Sequence, residues 1–173
     1  MTANPLDDPF YYLNNFRQVL DWLELRYADV MSESEHGFIR DFKILPRASQ
    51  GLLVRMVMRK GVHFRLGKLN YPEIGDISDA AQPLLSHGWL DDQALLSVAE
   101  VFDVLLKAEL LQAFGQFIEQ PKGRKDDWLP VLAGQFSELR SLCEWAPTLG
   151  DRLLSLTIMD LCDRLRLMFF GNL

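Results

Sequence analysis

Residues Leu52–Tyr71, LLVRMVMRKGVHFRLGKLNY, carry five bases and no acid in a 173-residue chain whose formal net charge is -6. We call this stretch the basic island; its bases are Arg55, Arg59, Lys60, Arg65 and Lys68. Apolar residues recur from Leu52 at i, i+1, i+4 and i+5, which predicts the buried face of a helix. We expect this helix to begin at Ala48 or Ser49 and to end at Gly61.

The two arginines of this helix need a counter-charge. Arg55 and Arg59 lie one turn apart, where like charges repel by about 0.2–0.5 kcal/mol. No acid stands within four positions of either residue, so a neutralising partner comes from elsewhere in the fold or from outside it. A polyanion and a solvated helix face are both compatible with the pattern, and charge alone slightly favours the solvated face.

Charge is distributed unevenly along the chain. Residues 38–70 hold eight bases and one acid, whereas residues 71–105 hold seven acids and no base. Such a split predicts a dipolar module that can lay one face on phosphate, so the acidic pI of about 5.0 does not exclude a nucleic-acid partner.

The composition is typical of a soluble globular domain, with 49% hydrophobic and 24% charged residues. No run approaches the roughly 18 uncharged apolar residues that cross a bilayer, and the N-terminus lacks the features of a signal peptide. We therefore expect a cytoplasmic, nucleoid-associated protein without a membrane partner.

The order of elements predicts a mainly α fold. A long amphipathic helix over residues 9–30 belongs to an N-terminal region, 1–37. Residues 38–95 follow the order of a winged helix, a helix-turn-helix variant: helices over 35–46 and 48–61, an edge strand over 63–69, a short helix from Pro72, a helix over 79–87 capped by Ser78 and ended by Gly88, and a wing over 88–96.

Beyond Leu95 the pattern predicts helices only, and residues 96–173 form the third region. The segment 150–173 is apolar around most of its circumference, and a helix of that kind is normally packed on all sides. We therefore expect either an oligomer or further domains of the same polypeptide to cover it, and we expect the chain to be the N-terminal part of a longer protein.

No catalytic pattern is present in the sequence. His36, His63 and His87 are too scattered for a metal site. Nuclease sites of the restriction type need Pro-Asp followed by an acid, any residue and lysine; Asp41-Phe42-Lys43 matches only the second half, and the chain has no Pro-Asp. The tyrosines near the basic island are of more interest, because a phenol can hydrogen-bond a backbone phosphate.

Several segments together resemble the N-terminal region of the Fanconi-associated nuclease family, whose C-terminal domain is a VRR-NUC nuclease fold. The segments are Tyr11-Tyr12-Leu13 with Phe16 and Val19-Leu20; Val54-Arg55 and Arg59-Lys60; Lys68 to Ile74; and Pro83-Leu84-Leu85 with Gly88-Trp89-Leu90. Leu105 to Leu110, followed by Gly123-Arg124-Lys125, resembles the SAP-type helix pair of these proteins, so the third region is expected to be a SAP-like helical lobe.

The resemblance implies a structure-selective DNA nuclease of phosphodiesterase type that acts on 5′ flaps and in interstrand-crosslink repair. In such a protein this region grips duplex DNA, and an absent nuclease domain with a divalent metal, Mg²⁺ or Mn²⁺, cuts it. The chain itself is expected to hold no cofactor and to bind branched or flapped double-stranded DNA without cleaving it.

The resemblance places five residues on the DNA backbone: Tyr12, Arg55, Arg59, Lys60 and Tyr71. The other bases of the island, Arg65 and Lys68, and the loop bases Arg124 and Lys125 complete the predicted DNA-binding set. The alternative function is a helical protein-interaction or regulatory module whose basic helix docks an acidic partner. A transcription regulator is disfavoured, because residues 79–87 offer no base-reading side chain beyond Gln82.

Overall fold

The computed structural model describes residues 8–171, and the mainly α fold predicted from the sequence is confirmed. Helices and three short strands follow one another in the order α1 Tyr11–Tyr27, α2 Glu33–Ile44, α3 Arg47–Val57, β1 His63–Arg65, α4 Ile77–Ser86, β2 Leu90–Asp91, α5 Val98–Val104, α6 Lys107–Phe114, α7 Lys125–Gln135, α8 Leu142–Trp145, β3 Leu153–Leu156 and α9 Met159–Phe170.

These elements form two compact units. The first unit holds the described residues up to Val62, then Asn70–Leu90, and those from Leu156 onward; the second holds His63–Leu69 and Asp91–Ser155. The three regions expected from the sequence, 1–37, 38–95 and 96–173, stay a prediction. Residues 1–7 and 172–173 of the first and third regions lie outside the described residues.

In the first unit, α3 is the central helix and packs against α1 and α4. Its predicted apolar face is confirmed, because Leu52, Leu53, Met56 and Val57 are all buried. The predicted ends of this helix were wrong. It begins directly after Pro46 and ends at Val57, so Arg59 and Lys60 follow the helix instead of lying on it.

Local capping explains other differences in the first unit. Ser32 and Glu35 form a capping box, so α2 begins at Glu33 and not at residue 35. The side chain of Asp76, not Ser78, caps α4. Gly88 follows α4 with a φ of +70°, which confirms it as the residue that ends this helix. The short helix predicted from Pro72 is only a turn.

The three strands form one sheet in the order β1-β3-β2. Strand β1 pairs antiparallel with β3, with His63 opposite Ser155 and Arg65 opposite Leu153. The predicted edge strand is therefore confirmed, but it is shorter than residues 63–69, because the chain turns into a 3₁₀ segment at Leu66. The prediction of helices only beyond Leu95 was wrong, since β3 is a strand whose four residues are all buried.

The second unit has its own hydrophobic core, built from α5 to α8 and the start of β3. Trp128 and Trp145 are buried within it, and Phe114 contacts Trp145 with ring centroids 5.8 Å apart. These two tryptophans therefore serve packing. The fully or nearly fully buried members of this core are Leu96, Val98, Val101, Phe102, Leu105, Leu110, Phe114, Leu132 and Leu142.

A buried ion cluster joins separate parts of the second unit. The guanidinium of Arg65, a residue only 9% exposed, donates through Nε to Asp151 at 2.9 Å and through Nη1 to Glu109 at 2.7 Å. Glu109 also accepts from the backbone N–H of Leu106 at the start of α6, and Asp151 accepts from Gly67 N–H. Arg65 therefore ties β1 to α6 and to the segment before β3.

The same contacts set the ionisation of the two acids. Burial acts to raise the pKa of both carboxyls, but the backbone N–H groups and Arg65 outweigh it, so the pKa of Asp151 and that of Glu109 lie below their ordinary values. Both acids are therefore carboxylates at neutral pH, as the cluster requires.

Replacing Arg65 by methionine should destabilise the protein strongly. The variant leaves two partly buried carboxylates without their cation, and breaking such a pair costs about 3–5 kcal/mol. The control is Arg152→Met, because Arg152 pairs with Asp92 at an exposed position and such pairs contribute about 0–1 kcal/mol. Chemical denaturation measures both free energies of unfolding, and equal losses would contradict the structural role of Arg65.

The cluster also predicts how stability depends on pH. Carboxyls whose pKa is lower in the folded than in the unfolded protein stabilise the fold above their ordinary pKa values, about 3.9 for Asp and 4.3 for Glu, and this stabilisation is lost as the pH falls below them. The melting temperature of the natural sequence should thus drop between about pH 5 and pH 3 more than that of Arg65→Met. Arg152→Met should follow the natural sequence. Parallel curves for all three proteins would refute this origin of the pH dependence.

Candidate nucleic-acid interface

The turn that follows the basic island is closed by its own backbone. The N–H groups of Ile74 and Gly75 both donate to the carbonyl of Tyr71, at 2.9 and 3.2 Å. Gly75 has a φ of +82°, a conformation in which a side chain would be strained. The turn holds Tyr71 and Glu73 in place, and the side chain of Glu73 is only 8% exposed.

Glu73 is the counter-charge of Arg55. Its Oε1 atom accepts from Arg55 Nε at 3.0 Å, from Arg55 Nη2 at 2.7 Å and from the Tyr12 hydroxyl at 3.0 Å. The partner that the sequence required for Arg55 therefore comes from within the fold. It lies 18 residues further along the chain, beyond any local helix spacing.

The guanidinium of Arg55 also contacts two aromatic rings. Its central carbon lies 4.0 Å from the ring centroid of Tyr12 and 5.2 Å from that of Tyr71, which are cation–π distances. Gly51 makes room on α3 for this arrangement, because a Cβ there would lie 3.0 Å from the Tyr12 hydroxyl. Tyr12 itself is 3% exposed.

Arg59 completes the group. Its Nη1 atom donates to the Tyr71 hydroxyl at 3.3 Å, and its side chain is exposed. The structure thus brings together four of the five residues that the resemblance singled out, and Glu73 is bonded to two of them, Tyr12 and Arg55. We call Tyr12, Arg55, Arg59, Tyr71 and Glu73 the tyrosine–arginine cluster. The fifth residue, Lys60, is exposed directly after Arg59.

Protonation states in the cluster follow from these contacts. Burial acts to raise the pKa of Glu73, but the hydrogen bond from Arg55 and the other donors outweigh it, so the pKa lies below its ordinary value. Burial, reinforced by the bond to Glu73, raises the pKa of Tyr12 to about 12. At neutral pH Glu73 is therefore a carboxylate, and Tyr12 is a neutral phenol that donates to it.

The two tyrosines differ in what their hydroxyls can offer to a ligand. Tyr12 donates its proton to Glu73, so a phosphate bond through this hydroxyl would require breaking an internal one. Tyr71 accepts a hydrogen bond from Arg59, and its own proton is not used in that bond. Tyr71 can therefore donate to an anion while it remains bonded to Arg59.

The four other predicted residues lie in the second unit. Arg65 is held by two carboxylates, as described above. Lys125 donates through Nζ to the carbonyls of Phe102 and Leu105, at 2.5 and 2.8 Å, and so caps the C-terminal end of α5. Lys68 and Arg124 are exposed.

Sequence reasoning missed Glu73 as a residue of the site, although it noted the segment that contains it. A usable signal was present, since Glu73 is the first acid after Asp41. An acid that ends a stretch of thirty-one acid-free residues is a reasonable partner for one of the bases before it. Which of these bases pairs with Glu73 depends on the turn at Gly75, and the spacing of charges along the sequence does not reveal it.

Residues 8–171 were also searched for metal sites and membrane spans. Among them, no group of three or more His, Cys, Asp or Glu residues could hold a metal ion. A divalent metal therefore does not fit the described part of this chain. Within the same residues, no helix is both long and apolar enough to cross a bilayer.

Comparison with known proteins identifies two domain models from one family. Residues 10–91 match the helix-turn-helix domain of FAN1, and residues 95–145 match the SAP domain of the Fanconi anemia-associated nuclease. These matches confirm both the helix-turn-helix variant and the SAP-like lobe predicted from the sequence. The tyrosine–arginine cluster lies within the first of these domains.

Relatives cover almost the whole chain. The Fanconi-associated nuclease 1 homolog of Pseudomonas aeruginosa is 52% identical over 168 residues, which are 97% of this chain and 30% of that protein. The homolog of Oryza sativa subsp. japonica is 32% identical over 57% of this chain and 11% of its own length. This chain therefore spans less than a third of the Pseudomonas relative.

Solved structures agree with the sequence relatives. The chain matches crystal structures of paFAN1 bound to 5′-flap DNA with a gap, one with a 2-nucleotide and one with a 1-nucleotide flap, with TM-scores of 0.92 and 0.90 at 52% identity. The matches cover 96% and 95% of this chain, and 30% and 31% of the other. Since both domains, the sequence and the fold match the same proteins, the chain belongs to the Fanconi-associated nuclease family.

Proposed function

We propose that this chain is the DNA-binding N-terminal region of a structure-selective nuclease, a phosphodiesterase that acts on 5′-flap DNA in interstrand-crosslink repair. The observation that carries the proposal is the match to paFAN1, whose crystal structures contain 5′-flap DNA. Membership in the family supports the nuclease activity of the whole protein.

The tyrosine–arginine cluster and Lys60 supply the chemistry of the proposed DNA contact. Arg59 and Lys60 are exposed cations, and Tyr71 can donate its hydroxyl proton. Cations and phenol donors bind phosphate oxygens, so this contact holds the duplex by its backbone and does not discriminate sequence. Affinity should consequently fall as the salt concentration rises.

The nine predicted DNA-binding residues are not equally accessible to phosphate. In the second unit, Lys68 and Arg124 are exposed and can approach a duplex without losing a bond described above. Arg65 and Lys125 are bonded to carboxylates and to backbone carbonyls, respectively. We propose that Lys68 and Arg124 add to the attraction for DNA, and that Arg65 and Lys125 stay with their internal partners.

Cleavage belongs to the part of the nuclease outside residues 1–173 in this proposal. We place its divalent metal, Mg²⁺ or Mn²⁺, there, since the described residues offer no set of ligands for one. The chain by itself grips flapped or branched DNA and leaves the cutting to the remaining domains. We also propose a cytoplasmic, nucleoid-associated location, where such DNA is found.

The remaining domains of the polypeptide are proposed to pack on the C-terminal helix, α9. An apolar groove of about 270 Å³ lies in the first unit, and its walls include Phe16, Val19, Leu165 and Phe170. Phe170, which lines this groove, is 59% exposed, and apolar surface beside an apolar groove can receive a partner. The chain spans only 30% of the Pseudomonas relative, so a whole protein of that size has ample sequence to cover the groove.

Reversing the charge of Arg59 and Lys60 tests the proposed DNA contact. The double variant Arg59→Glu/Lys60→Glu should bind a 5′-flap duplex at least about tenfold more weakly, since one lost phosphate contact of about 1.4 kcal/mol already has this effect. The slope of log affinity against log salt should fall by about 1.8. Fluorescence anisotropy at several salt concentrations measures both quantities.

The matched control is Arg26→Glu/Arg40→Glu, which changes the net charge equally at two exposed positions of the first unit. It should lower affinity only through long-range electrostatics, which salt screens. If both double variants lose affinity to the same extent, the net charge of the unit and not this surface governs binding.

Changing Phe170 to aspartate tests the packing on α9. In the full-length nuclease the variant should lower the melting temperature, because a charge would be buried at a covered apolar site. The same change in residues 1–173 alone should have little effect, since Phe170 is largely exposed there. Leu25→Asp is the control, because Leu25 is 84% exposed on α1. An unchanged melting temperature of full-length Phe170→Asp would rule out cover at this groove.

A further inference from the structure

We propose that Glu73 is a positioning residue for DNA binding: it holds Arg55 and, through Arg55 and Tyr71, sets Arg59 in place for a backbone phosphate. The inference rests on the proposed function and adds a residue to it. It also assigns Tyr12 and Arg55 to the support of the surface, and Tyr71, Arg59 and Lys60 to the contact itself.

The first step is how Glu73 fixes Arg55. Two nitrogens on one edge of the guanidinium, Nε and Nη2, both donate to Glu73 Oε1. Because both bonds go to one oxygen, they fix which edge of the guanidinium faces Glu73 and how far it lies from the carboxylate. The hydroxyl of Tyr12 donates to the same oxygen, so the carboxylate is held by α1 and α3 together.

Tyr71 connects Arg55 to the exposed Arg59. The guanidinium contacts the rings of Tyr12 and Tyr71, at 4.0 and 5.2 Å from their centroids, and these contacts constrain its plane. Tyr71 thereby has a defined ring position, and its hydroxyl accepts from Arg59 at 3.3 Å. Through Tyr71 and Arg55, the position of Arg59 is thus linked to the carboxylate of Glu73.

A phosphate that reaches this surface meets Arg55 already paired with Glu73. Arg55 could leave Glu73 for the phosphate, in which case Glu73 would inhibit binding by competing for Arg55. The side chain of Glu73 is 8% exposed, however, and a buried carboxylate without its cation is strongly unfavourable. Glu73 occupies the Nε–Nη2 edge of Arg55, so a phosphate would have to displace Glu73 to take that edge. The pair therefore stays intact, and the phosphate goes to the residues beyond it.

This inference predicts an effect opposite in sign to that of simple electrostatics. Removing an acid near a DNA-binding surface normally strengthens binding, because repulsion of phosphate decreases. If Glu73 positions Arg59, the isosteric change Glu73→Gln should weaken binding instead. The amide keeps one oxygen for the bonds from Arg55 and Tyr12, but it carries no charge to hold the guanidinium.

The experiment compares Glu73→Gln with Asp79→Asn in the same 5′-flap anisotropy assay over a range of salt concentrations. Asp79 is an exposed acid of the first unit, so Asp79→Asn removes the same charge without touching the cluster. We expect Glu73→Gln to bind at least about fivefold more weakly, with a salt slope lower by about 0.9 from one lost phosphate contact. Asp79→Asn should bind as tightly as the natural sequence or more tightly.

The salt slope separates positioning from a general loss of structure. A variant that is merely less folded loses active protein but keeps the slope of the molecules that bind, whereas a displaced Arg59 changes the slope itself. Melting curves establish the folded fraction at the assay temperature. If Glu73→Gln does not fold, Arg55→Lys takes its place: it keeps the charge but loses the two-nitrogen edge and the planar stack, and the same weakening is expected.

Three outcomes would overturn the inference. Tighter binding by Glu73→Gln would show that the carboxylate competes with phosphate for Arg55. Equal behaviour of Glu73→Gln and Asp79→Asn would show that only charge matters, and natural affinity of a folded Arg55→Lys would show that the geometry of Arg55 does not matter. Arg59→Glu/Lys60→Glu separates the two proposals: if it binds normally, the proposed DNA contact fails, and if it alone weakens binding, only the role of Glu73 fails.

Discussion

The pair of Glu73 and Arg55 is the constraint on which the proposed DNA-binding surface depends. A carboxylate whose side chain is 8% exposed has to be neutralised within the fold, and Arg55 is the cation that does so. Three features serve this pair: the turn at Gly75, the close approach of Tyr12 to Gly51, and the contact of Arg55 with two tyrosine rings. The ion pair thus positions the neighbouring residues that are proposed to contact DNA.

Two arginines of the basic island, Arg55 and Arg65, are paired with acids of the fold, each in a different unit. A count of bases along the chain treats them as equal to Arg59 and Lys60, which are exposed. The positive charge that a phosphate meets at short range is therefore smaller than the composition of the island suggests. At longer range the two paired arginines add no positive field either, because Glu73 neutralises Arg55 and two carboxylates outweigh Arg65.

Much of the fold follows from local signals. The parts that do not follow from them have one cause in common. The buried face of α3 and the end of α4 at Gly88 could be predicted because helical spacing and glycine are local. Strand β3 could not, because a short apolar run fits a buried strand and a buried helix equally well, and its partner, β1, lies about ninety residues earlier. The pairing of Arg65 with Asp151 could not be predicted for the same reason, since Asp151 is 86 residues away.

A rigid arrangement of this kind suits recognition of DNA shape. An exposed lysine or arginine loses side-chain entropy when it is fixed on a phosphate, and it gives little information about the direction of the backbone. The guanidinium of Arg59 and the phenol of Tyr71 are already positioned through Arg55 and Glu73, so they lose less side-chain entropy on binding. They can bind a phosphate only in a limited range of positions. In the proposed function, selectivity for a flapped duplex would arise from the spacing of backbone donors, without any contact to a base edge.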